Sequence, residues 1–158
     1  MSDLEELYRE ILLDHYRNPR HKGHVGGATH SAAGANPLCG DEMVVELRVS
    51  ADGRIEDAAF AGTGCSISQA SSSLMTDYVQ GRTAADALAA VDAFQQMMLT
   101  GEPPPAELGD IEALAGVSKF PVRVKCASLA WKTLEQALEH PQQLDGALAT
   151  VTTDEGST

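Results

Sequence analysis

The chain has 158 residues, of which 43% are hydrophobic and 4% aromatic, and its formal net charge is −12. That length suits one domain whose core is filled by Leu, Val, Ile, Met and Ala rather than by rings. The negative balance argues against nucleic acid and against an anionic membrane as partners, since both are bound by neutralising phosphates.

The cations are unevenly spread. Arg17, Arg20 and Lys22 form one cluster, Lys119, Arg123, Lys125 and Lys132 another, and no Lys or Arg follows Lys132. The first cluster reads equally as a docking patch and as a solvated helix end.

Leu4, Leu7, Tyr8, Ile11 and Leu12 form an amphipathic pattern that predicts a helix from about Leu4 to Tyr16. Asn18-Pro19 closes it, because proline disfavours helix at the residue before it. No basic leader with an apolar stretch is present, and no run is long enough for a bilayer, so neither a signal peptide nor a membrane span is expected. Residues 19–40 hold Gly23, Gly26, Gly27, Gly34, Pro37 and Gly40, a loop-rich stretch with room for a short strand. Met43, Val45, Leu47 and Val49 alternate with Val44, Glu46 and Arg48 as in a half-buried strand. Ala51-Asp52-Gly53-Arg54 reads as a hairpin turn, followed by a second strand from Ile55 to about Ala61.

From Ser66 the period becomes helical: Ile67, Ala70, Ser71, Leu74, Met75 and Tyr78 share a face, and Gly81 marks the end. Thr83-Ala84-Ala85-Asp86 resembles a capping box and opens a helix to about Leu99. Glu102-Pro103-Pro104-Pro105 breaks the chain, and a short helix near Asp110–Ala115 is expected to end at Gly116. The last helix should start near Pro121, a residue suited to a first turn, and run to about Glu139. The order predicts an α+β fold, a small antiparallel β-sheet covered on one face by helices. Residues 1–140 read as the domain, and 141–158 as a flexible acidic tail.

The chemistry lies in three cysteines, Cys39, Cys65 and Cys126. An odd number of distant thiols cannot close a disulfide framework, and without an export signal they fit a reducing cytoplasm. A lone cytosolic cysteine is ordinarily a small buried hydrophobe. These neighbourhoods differ. Cys39 lies in the turn sequence Asn36-Pro37-Leu38-Cys39-Gly40-Asp41, where Asp41 can reach the same centre. Cys65 follows Gly62-Thr63-Gly64 at a helix start, where free N–H groups and the dipole favour an anion. Cys126 falls early in the last helix, beside Arg123 and Lys125. Three thiolates and a carboxylate make one tetrahedral shell, and soft sulfur ligands suit zinc. With no Cys-x-x-Cys pair, spacing alone leaves a shared metal site and three separate thiols both open. His21, His24 and His30 have no fixed spacing to the cysteines and read as surface residues.

Four segments resemble the SufU/IscU (NifU N-terminal-like) family of iron–sulfur cluster assembly proteins. They are Asp14-His15-Tyr16-Arg17-Asn18-Pro19-Arg20, Asn36 to Asp41, Phe60 to Ser71, and Pro121 to Trp131. The likeness spans about residues 4–140. Two features match the SufU branch rather than the IscU branch. Lys125 stands where IscU-type scaffolds carry a His before the third Cys, and Phe120-Pro121-Val122-Arg123-Val124-Lys125 replaces their Leu-Pro-Pro-Val-Lys motif. The longer segment between Cys65 and Cys126 is also similar to SufU.

The resemblance implies a zinc-dependent sulfurtransferase, a monomer that accepts persulfide sulfur from a SufS-type, pyridoxal-phosphate cysteine desulfurase. Downstream SUF scaffold proteins are implied as further partners. Cys39 is the implied acceptor, and Cys39, Asp41, Cys65 and Cys126 are the implied zinc ligands. Arg123 and Lys125 flank a proposed ligand and read as balancing the anionic centre, with two solvated charges at a helix start as the other reading. The alternative is a scaffold for iron, holding a labile 2Fe–2S cluster on the same residues.

Overall fold

The structure is a computed structural model and describes residues 3–37, 40–102, 108–139 and 150–152. Helix α1 (Asp3–Arg17) leads to strand β1 (His30–Asn36), then β2 (Asp41–Val49) and β3 (Ile55–Thr63). Helices α2 (Ser66–Val79) and α3 (Ala84–Thr100) follow, then a 3₁₀ segment (Gly109–Lys119), helix α4 (Pro121–Glu139) and a short strand β4 (Thr150–Thr152). Strand order is β3-β2-β1-β4, with β1/β2 and β2/β3 antiparallel. The expected α+β architecture is present.

One face of the sheet is core. Ala32 and Gly34 of β1, Met43, Val45 and Leu47 of β2, and Ala58 and Phe60 of β3 line up across it through the strand register. Helices α2 and α4 cover that face, and Trp131 of α4 stacks on Phe94 of α3 with ring centroids 4.8 Å apart. Strand β1 is longer than the loop-rich expectation for residues 19–40. Its sequence, His-Ser-Ala-Ala-Gly-Ala-Asn, lacks β-branched residues because α4 lies almost on its backbone. A Cβ on Gly34 would collide with the Thr133 side chain and come within 2.9 Å of Leu129 Cδ1. Small residues are the condition for that approach.

The segment expected as a short helix near Asp110–Ala115 is an eleven-residue 3₁₀ run that passes through Gly116. Its buried Ile111, Leu114 and Val117 recur every three residues, the period of a 3₁₀ helix, and anchor it in the core. Helix α3 begins as expected, the Thr83 side chain accepting from Asp86 N at 3.1 Å. From the expected C-terminal tail, residues 150–152 form β4, parallel to β1 from Ala33 to Ala35. The remainder of that tail lies outside the described residues, as do Pro103–Pro105 of the proline stretch. Among the described residues, no helix is long and apolar enough to cross a membrane.

Candidate metal centre

Asp41, Cys65 and Cys126 come from three elements that meet at one end of the sheet. Asp41 opens β2, opposite Asn36 of β1 in the ladder, and is 1% exposed. Cys65 is the N-cap of α2 and is half-buried. Cys126 lies on α4 and is 2% exposed. One carboxylate oxygen and the two Sγ atoms all lie within 4.8 Å of one another. Those side chains are 24 and 61 residues apart in sequence, so only the packed sheet and helices bring them together.

Local bonds set each donor. Cys65 N donates to Asp41 Oδ1 at 2.9 Å, while Asp41 Oδ2 lies 4.0 Å from Cys65 Sγ. The carboxylate therefore spends one oxygen on orientation and turns the other toward the sulfur. At the start of α2, Ser68 N donates to Cys65 Sγ at 3.4 Å, and Ser68 Oγ donates to Cys65 O at 3.1 Å. Unsatisfied N–H groups of a helix start thus aim at that sulfur. Gly64 makes room: a Cβ there would be 2.7 Å from Asp41 Oδ1 and would collide with Ser68 Oγ. Gly62, at φ 133°, lies against the Glu42 carbonyl, so β3 keeps its pairing with β2 up to the turn before Cys65.

Cys126 receives an N–H from Asn36 Nδ2 at 3.6 Å. The next residue, Ala127, accepts through its carbonyl from Ser71 Oγ at 2.6 Å, and Trp131 Nε1 donates to the same hydroxyl at 3.1 Å. These bonds tie the helix that starts at Cys65 to the helix that carries Cys126.

The other sequence-derived site residues fall as follows. Cys39 lies outside the described residues, between Pro37 and Gly40. Arg123 is exposed on the first turn of α4, its guanidinium 5.3 Å from the Phe120 ring centroid, and lines a groove with Tyr8, Leu12, Tyr16 and Ile67. Lys125 is half-buried. His21 meets Asp77 and His24 meets Glu46, each at 3.3 Å, and His30 meets the Thr29 hydroxyl at 2.8 Å. Among the described residues no histidine joins the Asp41, Cys65 and Cys126 group. In the basic cluster, Arg20 pairs with Asp14 at 2.7 Å and Lys22 Nζ donates to Gln69 Oε1 at 3.2 Å, so both serve the α1–α2 junction. Sequence reasoning placed Gly64 in the turn before Cys65, Asn36 in the turn before Cys39 and Ser71 on a helix face, without assigning any of them a contact at the centre. Asn36 was legible as a polar residue two and four places after Gly34 and Ala32, on the core face, once β1 is recognised as a strand.

The donor set fits a thiophilic divalent ion: two sulfurs and one carboxylate oxygen converge in a buried pocket where each has an orienting bond. Comparison with known proteins agrees with the fold. The family model described as NifU-like N terminal domain matches residues 7–127. The zinc-dependent sulfurtransferase SufU of Bacillus subtilis is 45% identical over 138 residues, covering 87% of this chain and 92% of that protein. The iron–sulfur cluster assembly scaffold protein IscU of Streptococcus pyogenes is 45% identical over 140 residues, covering 88% and 87%. A crystal structure of the N-terminal part of a nitrogen-fixing NifU-like protein from Brucella abortus superposes with a TM-score of 0.77 at 27% identity, covering 87% of this chain and 96% of that one. With its matching domain model, its relatives and its fold in agreement, the chain belongs to the family of NifU-like N-terminal domains.

Proposed function

We propose that the protein is a zinc-dependent sulfurtransferase of iron–sulfur cluster assembly, accepting sulfur from a SufS-type cysteine desulfurase in the cytoplasm. The observation that carries this reading is the convergence of Asp41, Cys65 and Cys126 within 4.8 Å. The relative from Bacillus subtilis, which is named for that activity, supports it. Cys39 is two residues before Asp41 in sequence and completes a set of three thiolates and one carboxylate. A bound Zn²⁺ holds such thiolates deprotonated.

Cys39 is the acceptor. Its thiolate attacks the terminal sulfur of the donor's cysteine persulfide; the donor's S–S bond breaks, a new S–S bond forms on Cys39, and the donor leaves as thiolate. The transfer needs no external oxidant or reductant. Cys65 and Cys126, one capping a helix and the other inside one, keep their places during it. Arg123 supplies positive charge near an anionic centre and the incoming persulfide, and Lys125 stands beside it in sequence.

The test measures desulfurase turnover with and without this protein. Wild type raises the rate, whereas Cys39→Ser does not, yet still holds zinc. Full stimulation by Cys39→Ser, with persulfide found on another residue, would sink the assignment. A second reading, a scaffold for a 2Fe–2S cluster on the same residues, is favoured by the relative from Streptococcus pyogenes, which is named as a scaffold. Visible absorbance and iron and sulfide analysis of freshly purified protein separate the two.

A further inference from the structure

Strand β1 ends at Asn36, which occupies a core-face position in line with Ala32 and Gly34 and is fully buried. Along β1 the residues before it on that face, Ala32 and Gly34, are small and apolar, whereas across the ladder it faces the buried carboxylate Asp41. A primary amide offers two donors and an acceptor oxygen, and burial without partners is costly. Nδ2 donates to Cys126 Sγ at 3.6 Å, across 90 residues of chain. Oδ1 has no partner among the described residues. The sulfur sets which way the amide faces, because the reversed orientation would press Oδ1 against the lone pairs of a thiolate. Among the described residues, the one bond this amide makes is the one from Nδ2 to the Cys126 sulfur.

We propose that Asn36 is a positioning residue of the metal centre, acting through an N–H···S hydrogen bond to Cys126. The inference rests on the reading of Asp41, Cys65 and Cys126 as metal ligands. The bond draws charge from the Cys126 thiolate and fixes the direction of its lone pairs. Asn36 is also the ladder partner of Asp41. One rung of the β1–β2 ladder therefore aligns a carboxylate through the strand and a thiolate through the amide.

The experiment compares wild type with Asn36→Leu, which keeps the branched skeleton in a somewhat larger side chain and loses the donor, and Asn36→Ser, whose hydroxyl is too short to reach the sulfur. Zn²⁺ affinity is read by competition with a chromophoric chelator. The sulfur-to-metal charge-transfer band is read on Co²⁺-loaded protein, and the unfolding midpoint on metal-free protein. Both variants should bind Zn²⁺ roughly 10–100-fold more weakly, the usual effect of removing a bond that orients a ligand. Their Co²⁺ bands should move to longer wavelength, since a thiolate without its hydrogen bond is the stronger donor. Should Asn36→Leu fail to fold, Asn36→Ser carries the same comparison. Wild-type affinity with an unshifted band in the variants overturns the assignment. So does an affinity loss that follows the metal-free midpoint with the band unmoved, because that is packing. A wild-type protein with no sulfur-to-cobalt band overturns the metal reading itself, and the role of Asn36 with it.

Discussion

Gly64 shows how a residue without a side chain shapes the centre. Its φ carries no strain, so only space is at stake: a Cβ would meet Asp41 Oδ1 at 2.7 Å and Cγ at 3.1 Å, and would collide with Ser68 Oγ. Asp41 cannot retreat, because its Oδ1 is held by Cys65 N and the side chain is buried. Gly64→Ala should therefore cost about 1–3 kcal/mol in overpacking and weaken Zn²⁺ binding by at least about tenfold. Chelator competition beside urea unfolding checks both, and unchanged affinity would show that the carboxylate is free to move.

His15 makes a second residue-scale case. It is buried against α2, where Ser73 Oγ accepts from Arg20 N at 2.8 Å and meets His15 Nδ1 at 2.7 Å. The hydroxyl has one proton and two lone pairs, so it can pair with either neutral tautomer of the ring while it accepts from Arg20 N. Burial, then the nearby Arg20 charge, pushes the imidazole below its usual value. The unfolded chain takes up a proton more readily, so stability is complete above about pH 6.5 and declines as pH falls from there toward the native value. His30 is lowered by burial in the same direction. His15→Gln should lose stability less steeply than wild type between pH 7.5 and pH 5 in urea titrations. Equal slopes would assign the acid sensitivity elsewhere.

At the scale of elements, the spacing of the two described cysteines depends on how α2 sits on α4. Ser71 is fully buried and is the main polar tie between them, donating to Ala127 O and accepting from Trp131 Nε1. Ser71→Ala leaves the buried indole N–H without its acceptor, at about 1–3 kcal/mol, while Ala127 O keeps its bond within α4 and loses only the tie to α2. The thermal midpoint should drop, and Zn²⁺ affinity with it, because Cys126 immediately precedes the released carbonyl. A lower midpoint at unchanged affinity would uncouple the tie from the centre. Helices α1 to α4 were legible in the sequence because their apolar residues keep a helical period and their ends carry Pro19, Thr83 and Pro121. Strand β1 was not, because the closeness of α4 requires small residues that give no strand signature. The 3₁₀ segment was half-read, since its three-residue period is easily taken for a short turn of helix. At the site, residue type and loop context marked Asp41, Cys65 and Cys126 as candidates. The glycine turn before Cys65 was read as a place of close approach, but the specific contacts of Gly64 and Asn36 escaped, because they exist only once the strands and helices are packed.

For the whole molecule, the proposed metal joins a turn between two strands to the starts of two helices. Removing zinc should therefore act on global stability and not only on the site. At free zinc 100 times its dissociation constant the linkage contributes about 2.7 kcal/mol. For a chain of this length that corresponds to a midpoint lower by roughly 5–10 °C after chelation. Calorimetry with and without chelator measures this, and coincident midpoints would mean that the fold does not sense the ion.

The Asn36–Cys126 bond spans 90 residues and closes between the first strand and the last helix. During synthesis the first strand leaves the ribosome long before α4 does, so the pocket has no wall on that side until α4 has emerged. A protein stalled or clipped short of α4 keeps Asp41 and Cys65 but lacks the Cys126 sulfur that closes the group around them. On the proposed reading, the full donor set exists only after α4 has packed onto the first strand, so complete loading falls late in folding.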